Sequence, residues 1–420
     1  MHVSTSTMTE EDKASRRLEL DLLSETAGAH VVGHCHQTIE KENAATMIGS
    51  GKLVELQGMA KQCEANLIIF SVDLTGSQLR NIEEECACRV IDRTQLILDI
   101  FANRAISFEG KAQVRLAQLM YLLPRLTGRG VAMSRLGAGI GTRGPGETKL
   151  ETDRRKIRAE IHDLRRVVQA QGKRRTELRR RRARQGVYSV GIVGYTNAGK
   201  TTLLSRLAKR FGERNLDHGQ NRLFDTLDLV SRRVTYGGRT FVFTDTVGFL
   251  RDLPHHLVDA FRATLEEAVD ADVLVHVVDA TSEHMAEEMH TVYDVLEQSL
   301  HVNKPVITVF NEKRTLDKDL LLVDKKAASV VWGSILEDRV IEELVQKVDE
   351  VAGTRVHLRL VIPHERSDVL ALAYQMTKVE ESEQLDDGLY VTVEVDRRDV
   401  RTFLPFVAHD GNGNGEDYFT

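Results

Sequence analysis

Gly194-Tyr195-Thr196-Asn197-Ala198-Gly199-Lys200-Thr201 fills every position of the pattern G-x-x-x-x-G-K-[ST]. An apolar run from Val187 to Val193 precedes it and reads as a buried strand. Leu203, Leu204, Leu207 and Ala208 follow at the spacing of one helix face. Strand, glycine loop and helix in that order form a phosphate cradle. The glycines let the main chain curl so that successive N–H groups point inward, and the helix N-terminus adds its dipole. In such a cradle Lys200 reaches the outer phosphates and the Thr201 hydroxyl ligates Mg²⁺. The fold class follows: α/β, with a P-loop at its centre.

The surroundings bound the rest. With 420 residues the chain exceeds a single core. Hydrophobic residues make up 41% and charged residues 29%, ordinary values for a globular protein. No apolar stretch approaches the roughly 18 residues that cross a bilayer. Met1 to Lys13 is polar and acidic, without a signal-peptide core. Four cysteines without a disulfide-rich pattern fit a reducing cytosol. The expectation is a cytoplasmic monomer with no membrane span. Net charge is −6, yet Lys149 to Gln185 carries 15 Lys/Arg against 5 Asp/Glu, a block of +10 in an otherwise acidic chain. Such a block favours a polyanionic partner over a merely solvated helix face.

Periodicity divides the chain further. Residues 1–27 read as a disordered start. Residues 28–109 alternate strand-like runs (His30–Val32, Leu67–Val72, Leu96–Phe101) with a helix over Ser77–Ala87, a small α/β domain with a parallel sheet. Residues 110–186 read as a helical hairpin: one helix from Gly110 ended by Pro124 and Gly128, a loop of seven glycines from Gly128 to Gly146, and a helix over Lys149–Arg184. Ile157, Ile161, Leu164 and Val168 in that second helix form a coiled-coil seam. Residues 187–352 carry strands at Val187–Val193, Val230–Tyr236, Thr240–Thr244, Leu274–Asp279, Val306–Phe310 and Ser329–Trp332, the doubly wound pattern of P-loop proteins. A small α+β unit follows over 353–409: strand, helix (Ser367–Met376), strand, short helix. Residues 410–420 read as a disordered tail.

The other nucleotide-site markers lie at spacings suited to a GTPase. Asp245-Thr246-Val247-Gly248 ends a strand 44 residues after Thr201, a D-x-x-G arrangement in which Asp245 holds Mg²⁺ through water and the Gly248 N–H meets the γ-phosphate. Phe224-Asp225-Thr226-Leu227-Asp228 occupies the loop between, and Thr226 is the candidate second hydroxyl for Mg²⁺. Phe249 follows Gly248 where Ras-type enzymes use a glutamine to orient the attacking water. A phenyl ring cannot do this, so intrinsic hydrolysis is expected to be slow, and no residue is assigned as the catalytic group.

On these residues the chain resembles the HflX family of translation-associated GTPases. The resemblance extends through Ala117-Gln118-Leu119 and Tyr121-Leu122-Leu123-Pro124-Arg125-Leu126, and through the glycine segment Gly139-Ile140-Gly141-Thr142-Arg143-Gly144-Pro145-Gly146-Glu147-Thr148-Lys149 with Leu150-Glu151-Thr152-Asp153. Leu253-Pro254-His255 continues it beyond Phe249. The resemblance implies a cytosolic protein that binds and hydrolyses GTP with Mg²⁺ and docks on the large (50S) ribosomal subunit. It implies roles in ribosome rescue or dissociation, or in biogenesis. The basic 149–185 helix and the glycine-rich loop are the segments expected to meet ribosomal RNA.

Three departures keep other readings open. The guanine-reading motif N-K-x-D appears as Asn311-Glu312-Lys313-Arg314, and the final base-contacting S-A as Ser334-Ile335. Arginine in the aspartate position sets donors against the donors of the guanine edge. Two lost charge-assisted bonds at roughly 1.5–3 kcal/mol each weaken guanine binding by on the order of 10² to 10⁴. Leu229-Val230 also replaces the family's Pro-Thr pair after Asp228. The alternatives are a ribosome-associated scaffold with a nearly inactive G domain, and a nucleotide hydrolase of relaxed base choice. Other motifs carry less. Gly49-Ser50-Gly51-Lys52 lacks an upstream glycine, and neither His34-Cys35-His36 nor Cys86-Ala87-Cys88 has the spacing usual for zinc ligands.

Overall fold

The computed structural model describes residues 1–126, 145–212, 230–251, 265, 269–312, 323–353, 355–385, 388–396 and 400–408. The proposed switch segment 224–228, most of the glycine-rich loop, Lys313, Arg314 and the tail 410–420 lie outside them. The chain divides into two compact units, one built on Met1–Lys173 and the other on Arg174–Gln220, Leu229–Phe249 and Glu266–Thr420.

In the first unit, strands β1 (His2–Thr5) and β2 (His36–Ile39) pair in parallel, as do β3 (Leu67–Phe70) and β4 (Arg89–Asp92). Main-chain bonds from Met1 to Ile69 and from Ser71 to Met1 link β1 to the chain at β3. Helices α1 (Glu10–Thr26), α2 (Ser50–Gln62), α3 (Gly76–Cys86) and α4 (Arg93–Arg104) complete this part. Its core gathers Ile48, Phe70, Leu74 and Ile82.

Three expectations change here. The segment read as a disordered start forms β1 and α1 instead. Its charged helix is held by a capping box, in which the Thr9 hydroxyl accepts from the Asp12 amide and Asp12 accepts from the Thr9 amide. His30–Val32 is not a strand; pairing begins at His36. Leu96–Phe101 lies inside α4, because Asp92 caps the Gln95 amide and starts a helix where a short apolar run left the period ambiguous.

Helix α5 (Phe108–Arg125) keeps Pro124 within its last turn, one residue before its end. Helix α6 (Pro145–Arg184) packs on it through Leu116 and Leu119 against Ile161, flanked by Ile157, Leu164 and Val168, so the predicted seam is the contact.

The second unit holds a six-stranded sheet in the order β10-β9-β8-β5-β7-β6. These are β5 (Tyr188–Gly194), β6 (Val230–Tyr236), β7 (Arg239–Asp245), β8 (Val273–Asp279), β9 (Val306–Asn311) and β10 (Ser329–Gly333). All pairs are parallel except β6 on β7. Central strands covered on both faces need near-continuous apolar sequence, which is what β8 (VLVHVVD) and β9 (VITVFN) have. Helix α7 (Lys200–Phe211) buries Leu203, Leu204, Leu207 and Ala208 against the sheet, and α9 (Asp338–Ala352, following α8 at Met285–Asp294) buries Ile341, Leu344 and Val348.

The C-terminal part is a three-stranded antiparallel sheet, order β11-β13-β12, with helices α10 (Ser367–Met376) and α11 (Val400–Phe403). Strands β11 (Arg355–Ile362) and β13 (Gly388–Asp396) match the sequence reading. Strand β12 (Lys378–Leu385) does not; its sequence KVEESEQL is an acidic edge strand whose order comes from pairing with β13 rather than from an apolar alternation.

Candidate functional site

Strand β5 delivers the chain into a left-handed turn. Gly194 has φ 151° and Gly199 φ 109°, with Asn197 at φ 62° between them. Side chains cannot replace these glycines. A Cβ on Gly194 would run into the Val277 carbonyl of β8, and one on Gly199 would lie 2.8 Å from both Asn311 Nδ2 and Ile335 Cδ1. Tyr195 and Thr196 are buried, and Ala198 is 1% exposed.

Lys200, the first residue of α7, is itself buried and donates from Nζ to the Tyr195 carbonyl at 2.7 Å. The Thr201 hydroxyl donates to Asp245 Oδ2 at 2.8 Å. Asp245 ends β7, which pairs directly with β5, so sheet register rather than sequence proximity brings Asp245 and Thr201 together.

The next residues fold back over the loop. The Thr246 hydroxyl donates to the Ile192 carbonyl at 2.8 Å. The Phe249 amide donates to the Gly194 carbonyl at 3.1 Å, and the Phe249 carbonyl accepts from the Thr196 amide at 2.8 Å. The Phe249 ring is 1% exposed. It anchors this segment and presents nothing to a water molecule. Gly248 lies where a methyl group would come within 2.9 Å of Lys200 Nζ, Thr196 Cα and Thr196 Cγ2. Val247 beside it is buried.

Asn311 closes the far side. Its Nδ2 donates to the Ala198 carbonyl at 2.9 Å and its Oδ1 accepts from the Ile335 amide at 3.2 Å. The asparagine read from sequence as part of a base-reading motif is thus a tie between the glycine loop and the turn after β10. Ser334 is half-buried in that turn, and its hydroxyl accepts from the Leu336 amide at 3.4 Å. Glu312 bonds through its amide to the Gly333 carbonyl at 3.2 Å.

Beneath the loop lies a group that sequence reading passed over. His276 on β8 pairs in register with Val193, is 1% exposed, and has Nδ1 without a hydrogen-bond partner among the described residues. Burial pushes its pKa down to about 4; Asp324 opposes this, and the Lys200 charge adds to it. Its ring meets Tyr293 edge-on at 5.3 Å, while Tyr293 and Thr308 both donate to Asp324 at 2.6 Å. No motif marks this cluster, because its members come from four separate segments.

The structure therefore brings together residues 194–201, Asp245 to Gly248, Asn311 and Ser334. Phe224, Asp225, Thr226, Leu227 and Asp228 lie outside the described residues. An anion fits what is present: a turn with Gly194, Asn197 and Gly199 in the left-handed region at a helix start, and the buried Lys200 ammonium beside it. A hydroxyl beside a carboxylate, Thr201 and Asp245, is an oxygen donor pair suited to Mg²⁺.

Three family profiles match consecutive stretches: "GTP-binding GTPase N-terminal" over residues 14–102, "GTP-binding GTPase Middle Region" over 104–182, and "50S ribosome-binding GTPase" over 189–312. The GTPase HflX of Alkalihalophilus pseudofirmus is 42% identical over 371 residues, covering 88% of this chain and 86% of its own. The chain belongs to the HflX family of GTPases. The HflX of Lacrimispora saccharolytica is 39% identical, covering 94% and 92% of the two chains, and that of Escherichia coli 37%, covering 88% and 87%. Among solved structures, the crystal structure of the SsGBP and GDP complex is similar at 25% identity, covering 84% of this chain and 97% of that chain, with a TM-score of 0.45. The first two profiles cover residues 14–102 and 104–182, ahead of the P-loop, which lies within the third.

Proposed function

We propose that the chain binds GTP with Mg²⁺ at residues 194–201, hydrolyses it, and does so in association with the large ribosomal subunit, in ribosome rescue, dissociation or biogenesis. The observation that carries the reading is the convergence of Lys200, Asp245, Gly248 and Asn311 on one glycine loop. Main-chain N–H groups of the loop would receive the β-phosphate. Lys200 would exchange its bond to the Tyr195 carbonyl for the outer phosphates, a neutral acceptor for a charged one. Thr201 would hold Mg²⁺ directly and Asp245 through water, with Thr226 as the candidate second hydroxyl; the ion supplies charge neutralisation on the phosphates. The Gly248 amide would meet the γ-phosphate, so the segment leading to Phe249 is positioned to report nucleotide state.

The buried Phe249 ring supports slow turnover unless a partner supplies the group that positions water. Docking is assigned to the basic helix and the glycine-rich loop. On α6, Arg155, Lys156, Arg165, Arg166, Arg180 and Arg181 are exposed, whereas Arg179 is paired with Asp270. Single-turnover GTP hydrolysis with and without 50S particles tests the proposal. Stimulation by the particles supports it, and association without any turnover supports the scaffold reading.

A second reading, relaxed base choice, is favoured by Glu312 and Arg314 in place of lysine and aspartate. Comparing GTP, ATP and XTP affinities separates the two. GTP-exclusive binding below about 1 μM would exclude it.

A further inference from the structure

The first unit brings together three side chains that no motif connects. His2 lies on β1, Asp21 on α1, and His34 in the segment leading into β2. One ligand atom from each lies within 4.8 Å of the other two, the one such group of histidine, cysteine or carboxylate side chains among the described residues. His34 Nε2 is 3.7 Å from Asp21 Oδ2, and the His2 and His34 ring centres are 5.8 Å apart. His2 is 7% exposed, and its Nδ1 has no hydrogen-bond partner among the described residues. All three residues line one cavity of about 400 Å³, which Cys35, Met59 and Cys63 also border.

We propose that His2, Asp21 and His34 form a binding site for a divalent transition-metal ion, with Zn²⁺ as the type. Two imidazoles and one carboxylate are the donor set that borderline ions prefer over Mg²⁺ or Ca²⁺. With metal–ligand distances of about 2.0–2.2 Å, tetrahedral ligand atoms stand about 3.4 Å apart. The Asp21–His34 separation already approaches that spacing, and small side-chain rotations close the rest. A buried imidazole nitrogen with no hydrogen-bond partner costs free energy, which coordination would recover. The fourth position faces the cavity and is open to water or a further ligand. Arg17 and the Met1 amine add positive charge near His2, while Asp21 and Glu25 offset it, so micromolar rather than tighter affinity is expected.

The neighbouring histidine serves as an internal control. His36 belongs to the same His-Cys-His run, but its Nε2 lies 2.9 Å from Ser4 Oγ, and it takes no part in the cluster. Because the three ligands come from β1, α1 and the segment before β2, the ion would cross-link the start of the chain to its first helix.

The test uses the full chain stripped with a chelator, titrated with Zn²⁺ by calorimetry and with Co²⁺ by visible absorption. The expected result is one equivalent bound at micromolar ion, with Asp21→Asn and His34→Gln each weakening it about ten-fold or more. His36→Gln and the P-loop variant Lys200→Ala should bind as the unaltered chain does, which keeps this site distinct from the nucleotide site. No association up to about 100 μM free Zn²⁺ would overturn the proposal. So would unchanged affinity in both Asp21→Asn and His34→Gln, or an equal loss in His36→Gln.

Discussion

Gly248 and Asn311 show how single residues hold the site open and tied. A methyl group on Gly248 would press on Lys200 Nζ and on the Thr196 main chain at 2.9 Å, a spacing that forces one of them to move. Gly248→Ala is therefore expected to lower GTP affinity or single-turnover hydrolysis by at least about ten-fold, measured with a fluorescent GTP analogue and by quench kinetics. Wild-type values in both assays would mean that Lys200 does not need its present position. Asn311→Ala removes the acceptor of the Ile335 amide and the donor to the Ala198 carbonyl, both in buried surroundings. Each orphaned group costs about 1–3 kcal/mol. Urea denaturation should register a loss of roughly 2 kcal/mol or more, and nucleotide affinity should fall with it. A stability change under about 0.5 kcal/mol would show that water replaces the side chain.

Among the elements, α6 makes the most testable claim. Lys173, Arg174, Arg180 and Arg181 are exposed on it, whereas Arg179 is held by Asp270. Replacing the four exposed residues with serine should weaken ribosome association and flatten its dependence on salt by about one unit of slope per lost phosphate contact. Nucleotide affinity should not change. An unaltered salt slope would move the contact elsewhere. The apolar seam of the same helix was legible in the sequence because it repeats locally, and Leu116 and Leu119 of α5 cover it. Strand β12 was not legible, since an acidic edge strand gains its order from one neighbour only. Helix α4 is not legible because Leu96-Ile97-Leu98 and Ile100-Phe101, parted by Asp99 alone, carry no clear period, and the cap at Asp92 decides between helix and strand.

For the molecule as a whole, buried His276 ties folding to pH. Its folded pKa of about 4 lies below the ordinary 6.5, so the unfolded chain takes up the proton first. Its contribution is complete above about pH 6.5 and is lost as pH falls toward 4. The stability advantage of the wild type over His276→Gln should therefore shrink by on the order of 3 kcal/mol between pH 7 and pH 4. A constant difference across that range would mean that His276 titrates in the fold as it does in the unfolded chain. The phosphate loop, the strand succession from β5 to β10 and the basic block on α6 were set by sequence alone. Glycine spacing, apolar runs and charge density act within a few residues, and any chain carrying them must express them. Tertiary structure decided which distant groups meet: Asp245 beside Thr201, Asn311 between two loops, His2 with Asp21 and His34. Those meetings depend on strand order and helix placement, which follow from burying the whole core and leave no trace in local spacing.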